Sequence, residues 1–364
     1  MKKTLLLSRK WYVLALVLSF HFLSGQNKVL DVAVAGMNHD HIHVLLNQYR
    51  QHRVNIVGIA EPDKQLIRRL QKDYQLPDSL FYDNVAGMLN KVHPDAVLAY
   101  NPIAGHVDVA EACLPLKIPL MVEKPLAVNN KQARRIARLS EANNTPVFTN
   151  YETTWYGSNQ VLKTLLHEQG FGPVKKMIAR DGHQGPEEIG CSAEFLSWLT
   201  DPVSNGAGAL TDFGCYGANL MTWLMDGERP VAVTAVTRQL KPHIYPDVDD
   251  DATIIVEYGN GATGIIQASW NWPYSIKDLQ VYGPKTSLHA VNGETLVRYE
   301  EMPKGREIPV KGDYFKDQVS FLEAALAGKK LPENHLSSLE NNLIVVEILE
   351  AAKASALRGE RIEL

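Results

Sequence analysis

Residues 29–61 read VLDVAVAGMNHDHIHVLLNQYRQHRVNIVGIAE, and the change of hydrophobic period within them decides the fold. Two short apolar runs, 29–36 and 54–61, flank a stretch of helical spacing that begins at about His41. Strand, helix and strand in that order make a βαβ unit, because adjacent parallel strands need a crossover and a helix supplies it. The alternation continues with a helix through Leu70, DAVLAYN (95–101), a helix from about His106 to Leu116, IPLMVEK (118–124), a helix from Asn130 to Asn143 and TPVFTNY (145–151). The expectation over 28–150 is therefore α/β, a doubly wound parallel sheet.

Beyond Tyr151 the pattern changes. A helix near Asn159 to Gln169 is followed by β-rich runs with close turn signals: VKKMIAR, VAVTAVTRQL, ATIIVEY, TGIIQASW, DLQVYG and TSLHAV. Strands without intervening helices predict a mainly antiparallel open sheet, hence an α+β second domain over 151–364. Gly259-Asn260-Gly261 supplies residues that tolerate positive φ between two of these runs and reads as a hairpin turn. Helical periodicity returns from Tyr314 to Leu357, and this last helix is expected to pack back toward the first domain.

Two domains fit 364 residues, and a net charge of -4 gives no basic field for nucleic acid, so a small molecule is the expected partner. Lys2, Lys3, Arg9 and Lys10 precede an uncharged run from Trp11 to Gly25, a signal-peptide pattern over 1–25 that predicts export, to the periplasm, and no membrane span after cleavage. The basic start at Arg9-Lys10 resembles a twin-arginine signal only faintly. Cys113, Cys191 and Cys215 are too few and too odd in number for a disulfide framework and read as core thiols.

Gly36 follows the first strand and opens the first helix, where a Rossmann domain sets its dinucleotide pyrophosphate against the helix N-terminus. The glycine fingerprint is incomplete: in Gly36-Met37-Asn38-His39-Asp40-His41, Asn38 and His41 stand where further glycines are expected. Glu61, at the end of the second strand, suits the acidic partner of the adenosine ribose hydroxyls and favours NAD over NADP. His39, His41 and His43 alternate at a helix start, a spacing that spreads three rings about the axis, so no metal site is expected.

In IPLMVEKPLAV (118–128) an apolar strand runs straight into Glu123-Lys124-Pro125, which delivers a lysine to the ligand crevice at the strand's carboxyl end. In GAGALTDFGCYGAN (206–219), Asp212 and Tyr216 are four apart and would share one helix face. A Lys-Asp-Tyr group suits proton traffic, with the Lys124 cation lowering the Tyr216 pKa and Asp212 orienting the set. Tyr151 and Trp155 offer an aromatic wall of the kind that fits a sugar ring. His183, in Asp181-Gly182-His183-Gln184, ends a strand and could reach the crevice. Asp247, Asp249, Asp250 and Asp251 read as a solvated strand entry rather than a calcium site.

These residues resemble the glucose-fructose oxidoreductase, inositol dehydrogenase and rhizopine catabolism (Gfo/Idh/MocA) family of NAD(P)-dependent oxidoreductases. The marks are VEKPLAV (122–128), YNPIAGHVDVAEACL (100–114), GALTDFGCYGANL (208–220) and the closing ALRGERIEL, and the likeness runs from about Lys28 to Leu364. It implies that Lys124 sits between the nicotinamide and the substrate carbon, with Asp212 as the acidic helix residue and Tyr216 as the proton donor or acceptor. It implies that Asn101, Pro102, His106 and Glu123 line the cofactor with Gly36, Met37, Asn38, His39 and Glu61. It further implies a cis Lys124-Pro125 bond and subunit pairing through the open face of the second sheet, giving a homodimer or larger assembly. An arginine common after the fifth strand of relatives is absent from TNYETTWYGSN (149–159).

The leading expectation is an exported NAD-dependent oxidoreductase acting on a secondary alcohol or ketone of a sugar or sugar derivative. Two others stand beside it: a redox-neutral glycosidase or epimerase that keeps its NAD, and a non-catalytic sugar-binding or regulatory protein on the same fold.

Overall fold

The computed structural model describes residues 29–168, 170–332 and 334–364; the expected signal peptide lies outside them. The first sheet has strands β1 (Asp31–Ala35), β2 (Asn55–Ala60), β3 (Phe81–Tyr82), β4 (Ala96–Ala99), β5 (Leu120–Glu123) and β6 (Val147–Asn150). They lie in the order β3-β2-β1-β4-β5-β6, and every pairing is parallel. Helices α1 (Ile42–Arg50), α2 (Lys64–Tyr74), α3 (Val85–Leu89), α4 (His106–Cys113) and α5 (Asn130–Asn143) make the crossovers. Strands β4, β5 and β6 are buried along their whole length. This explains why AVLA of β4 and LMV of β5 are continuous apolar runs rather than alternating ones. The order reverses between β1 and β4, and a ligand crevice belongs at that switch point.

The second sheet has nine strands: β7 (Lys176–Gly182), β8 (Pro230–Arg238), β9 (Asp251–Tyr258), β10 (Thr263–Ser269), β11 (Ile276–Tyr282), β12 (Ser287–Ala290), β13 (Leu296–Tyr299), β14 (Gly305–Ile308) and β15 (Ile362–Glu363). Only β7 and β10 pair in parallel; the rest of the sheet is antiparallel. The predicted hairpin joins β9 to β10, with Gly261 at φ +85°. Helices α6 (Gly157–Leu166), α7 (Ala193–Leu199), α8 (Ala209–Asp212), α9 (Gly214–Leu224), α10 (Gln318–Leu326) and α11 (Leu339–Arg358) complete the chain. All of α9 is buried against the inner face of this sheet. A Cβ on Gly217 would lie 2.7 Å from the Ile266 side chain, so glycine is what lets this helix approach so closely.

The tail forms two helices, and α10 joins the core of the first sheet: Phe321 meets Phe148 edge-on at 5.0 Å, with Val319 and Leu322 beside it. Helix α11 packs on α9 and β8, and also reaches α5, where Lys353 donates to the Val128 carbonyl at 2.8 Å. The three cysteines are free thiols. No helix among the described residues is long and apolar enough to cross a membrane.

Candidate active site

Strand β5 ends at Glu123 and hands Lys124 to the crevice through a cis Lys124-Pro125 bond. The Lys124 ammonium donates to Asp212 Oδ1 at 2.5 Å and to the Asp212 carbonyl at 3.3 Å. Asp212 Oδ2 accepts from Trp270 Nε1 at 2.9 Å. Burial works against both charges, yet the pairing wins: Lys124 is held above its ordinary value and Asp212 below the usual carboxylate range.

Asp212 is placed by the acidic run expected to be a solvated strand entry, and that expectation is corrected here. Asp249 accepts from the Gly208 and Leu210 amides at 2.8 and 2.7 Å, so it caps the turn that starts α8. Asp250 is fully buried and accepts from the Leu240 and Lys241 amides at 2.8 and 2.6 Å. These carboxylates are spent on backbone donors of irregular loops, which sequence spacing does not reveal.

The single helix expected for Asp212 and Tyr216 breaks at Phe213, between α8 and α9. Both side chains still reach Lys124, whose ammonium is 5.2 Å from the Tyr216 ring centroid. The expected lowering of the Tyr216 pKa is corrected: burial, then the charges of Glu152, Cys215, Asp212 and Glu123, hold its phenol well above the ordinary value. Tyr151 is fully buried and meets the Tyr216 ring edge-on at 5.5 Å. Trp155 instead donates to Asn150 Oδ1 at 3.0 Å and packs on Phe321, so Tyr151 alone of the expected aromatic wall stands against Tyr216. His183 lies edge-on to Phe213 at 4.9 Å, its Nδ1 accepts from the Gly185 amide at 2.9 Å, and burial pushes it down to about 4.

On the dinucleotide side, a cavity of about 410 Å³ is lined by Gly36, Asn38, Glu61, Pro62, Asp83, Asn101 and Pro102, among others. Gly36 has φ +76°, and a Cβ there would fall 2.7 Å from Asn101 Cβ, so only glycine fits at the entry of the loop. Glu61 accepts from the Met37 and Asp63 amides, each at 2.8 Å, and burial holds its carboxyl above the ordinary value. Asn38 Oδ1, Asn101 Oδ1, His39 Nε2 and His106 Nε2 are buried without a hydrogen-bond partner among the described residues, and the two asparagines line this cavity. Such atoms are rare in finished cores and suit a polar ligand laid along the loop. The residues present therefore fit a dinucleotide. His106 donates through Nδ1 to the Leu126 carbonyl, 3.2 Å away, and burial lowers it to about 4.

The three loop histidines do not spread as expected. Helix α1 starts only at Ile42, so residues 39–41 form a turn, in which His39 and His41 both face Glu123 while His43 meets the Tyr74 hydroxyl at 2.7 Å. His41 Nδ1 is 2.8 Å and His39 Nε2 3.8 Å from Glu123 Oε2. The three could hold a cation by spacing, but Glu123 is already engaged by His41 and, through Oε1, by Asn150 at 2.7 Å. We read the group as a hydrogen-bonded support for the end of β5.

Several site residues escaped the sequence reading: Trp270 and Asn150, which orient Asp212 and Glu123, and Glu152 and Lys277, which bear on Tyr216. A strand end carrying Asp181 was visible; Lys277, its cross-strand neighbour, comes from strand register and was not.

Comparison with known proteins agrees with this geometry. The family model described as "Oxidoreductase family, NAD-binding Rossmann fold" matches residues 30–151, and the GFO/IDH/MocA C-terminal domain model matches 159–289. A trans-1,2-dihydrobenzene-1,2-diol dehydrogenase of Xenopus laevis is 24% identical over 217 residues, 59% of this chain and 60% of that protein. The chain thus spans about 60% of the length of that curated relative. In fold it resembles the aldose-aldose oxidoreductase of Caulobacter crescentus complexed with glycerol (TM-score 0.76, 18% identity, 93% of this chain and 100% of that one). It also resembles an inositol dehydrogenase homolog of Azotobacter vinelandii complexed with NAD+ (TM-score 0.76, 17% identity, 92% and 97%).

Proposed function

Because the chain belongs to the Gfo/Idh/MocA family of NAD(P)-binding Rossmann oxidoreductases, we propose that it exchanges hydride between NAD and a secondary alcohol or ketone of a sugar or related polyol. The observation that carries the reading is the convergence of Lys124, Asp212 and the Tyr216 ring at the carboxyl end of β5, beside the cavity that fits a dinucleotide. NAD is favoured over NADP because Glu61 and Asp83 both line this cavity, where a 2′-phosphate would meet carboxylates.

When bound, the nicotinamide supplies the hydride acceptor or donor. The chain does the rest. Gly36, Asn38, Asn101 and Pro102 would hold the dinucleotide, and Lys124 would polarise the substrate oxygen, its own charge fixed by Asp212. Tyr216, whose buried phenol favours the protonated form, suits donation to a carbonyl; taking a proton from an alcohol needs nearby cations. The diol, aldose and inositol named for the relatives all carry the hydroxyls this site would handle.

The test is fluorescence titration with NAD+ and NADP+, with mass spectrometry of whatever small molecules denaturation releases. We expect NAD to bind more tightly, and Lys124→Met to keep binding while losing turnover by roughly 10²–10⁴-fold. A wild-type protein that binds neither nucleotide overturns the reading.

Subunit pairing through the open face of the second sheet belongs to the same proposal. It is supported by Val231, Val236 and Ile255, apolar residues exposed on β8 and β9. A single-chain mass by light scattering at micromolar concentration would refute it.

A further inference from the structure

Tyr216 lies near two ammonium groups, not one. Lys124 is 5.2 Å from its ring centroid, and Lys277 is 4.9 Å. Lys124 is committed to Asp212. Lys277, the second residue of β11, lies on the sheet's inner face, directly across from Asp181 in the register of β7. It nevertheless ion-pairs with Glu152, which also accepts from the Tyr156 hydroxyl at 2.6 Å. Asp181, 1% exposed, keeps both carboxyl oxygens without a partner.

The groups bearing on Tyr216 come from every element around it. They are Glu123 at the end of β5 and Lys124 after it, Tyr151 and Glu152 after β6, Asp212 and Cys215 on its own helices, and Lys277 on the sheet, with Asp181 across from Lys277. After burial, Glu152 is the largest influence that disfavours the phenolate. Lys277 therefore acts twice: it adds a cation beside the ring, and it neutralises the carboxylate that most opposes ionisation.

We propose that Lys277 is a positioning residue for proton transfer, setting the ease with which Tyr216 gives up its proton by standing beside its ring and holding Glu152 in check. The inference rests on the reading that Tyr216 exchanges a proton with substrate. In oxidation the substrate O–H bond breaks and its proton goes to the Tyr216 phenolate oxygen. The carbinol C–H bond breaks with its electron pair passing to NAD+, which is reduced, and the product is a carbonyl. Reduction runs the same transfers in reverse. A cation that stabilises the phenolate moves the alkaline-rising limb of oxidation to lower pH; an unscreened carboxylate moves it higher. A lysine that merely ties the 152 turn to the sheet has neither effect.

The experiment compares wild type, Lys277→Met, Lys277→Arg and Glu152→Gln, each saturated with NAD+, in the pH dependence of alcohol oxidation. The same proteins without cofactor are followed by NMR of Cζ-labelled tyrosine, with Tyr216→Phe assigning the signal. We expect Lys277→Met to move the limb up by roughly one to three pH units, Lys277→Arg to stay near wild type and Glu152→Gln to move it down. At one alkaline pH where all remain folded, the Tyr216 phenolate fraction should fall in Lys277→Met and rise in Glu152→Gln. Shifts of the same sign in those two variants, or none in either, overturn the inference. Should Lys277→Met fail to fold, a downward shift in Glu152→Gln with none in Lys277→Arg sustains it, and an unmoved Glu152→Gln sinks it. If the wild type oxidises no alcohol, the functional reading falls, while the NMR arm still decides the role of Lys277.

Discussion

Lys124 and Asp212 hold charges where neither could stand alone. Both side chains are almost wholly buried, and the Asp212 carboxylate is held by Lys124 and by the Trp270 indole N–H. Removing one partner of such a pair leaves the other uncompensated, a loss of about 3–5 kcal/mol, whereas removing both charges is close to neutral. Urea unfolding should accordingly show Lys124→Met and Asp212→Asn each destabilised and the double variant recovering most of the loss. A double variant no more stable than the worse single one would show that the charges are not what the site must offset. The pH dependence follows from the direction of each shift. Asp212 is lowered on folding, so its contribution is full above the ordinary carboxylate value and fades as pH falls through its lowered folded value. Lys124 is raised, so its contribution is full below the ordinary lysine value and fades as pH rises through its raised folded value. The wild type should therefore show a broad neutral plateau that the double variant lacks.

At the scale of elements, what the sequence revealed and what it hid follow from how contacts arise. The parallel strands announced themselves because strands covered on both faces read as apolar runs, as AVLA and LMV do. Lys124 was legible for the same reason: a buried strand that ends in charge has one place to put it. Asp212 and Tyr216 were legible as a local pair, although the start of α8 was not, since Asp249, 37 positions beyond Asp212, caps it. Trp270 reaches Asp212 from the end of β10 across 58 positions, and Lys277 reaches Tyr216 only because β11 pairs with β7 in one register. Register is a property of two strands together, and a shift of one residue would turn Lys277 to the opposite face. The histidine turn misled for the opposite reason: helical spacing was assumed one turn too early, before Ile42.

Across the whole molecule, the dinucleotide loop is held from the other domain. Ser192, the cap of α7, donates from its backbone amide at 2.9 Å and from its hydroxyl at 2.5 Å to the Asp40 carboxylate. Trp198 donates to the Asn38 carbonyl at 2.9 Å, and Phe195 and Trp198 lie against the His39 ring at 4.7 and 5.5 Å. Arg69 of α2 meets Glu194 through two parallel bonds of 2.7 and 2.8 Å. The segment through α7 thus clasps the very turn whose missing glycines leave it less able to grip a pyrophosphate through its own backbone. Clasping such a loop stabilises the bound state by sparing it the ordering cost that a free loop would incur. The effect should appear in the rate of cofactor release. Ser192→Ala removes a hydrogen bond to a charged group, a loss of about 1.5–3 kcal/mol, and at least a tenfold faster release of NADH in stopped-flow fluorescence is expected. Association should change little, because most effects of altered contacts fall on dissociation. Release as slow as in the wild type, with the protein equally stable, would show that the clasp serves only to dock the two domains.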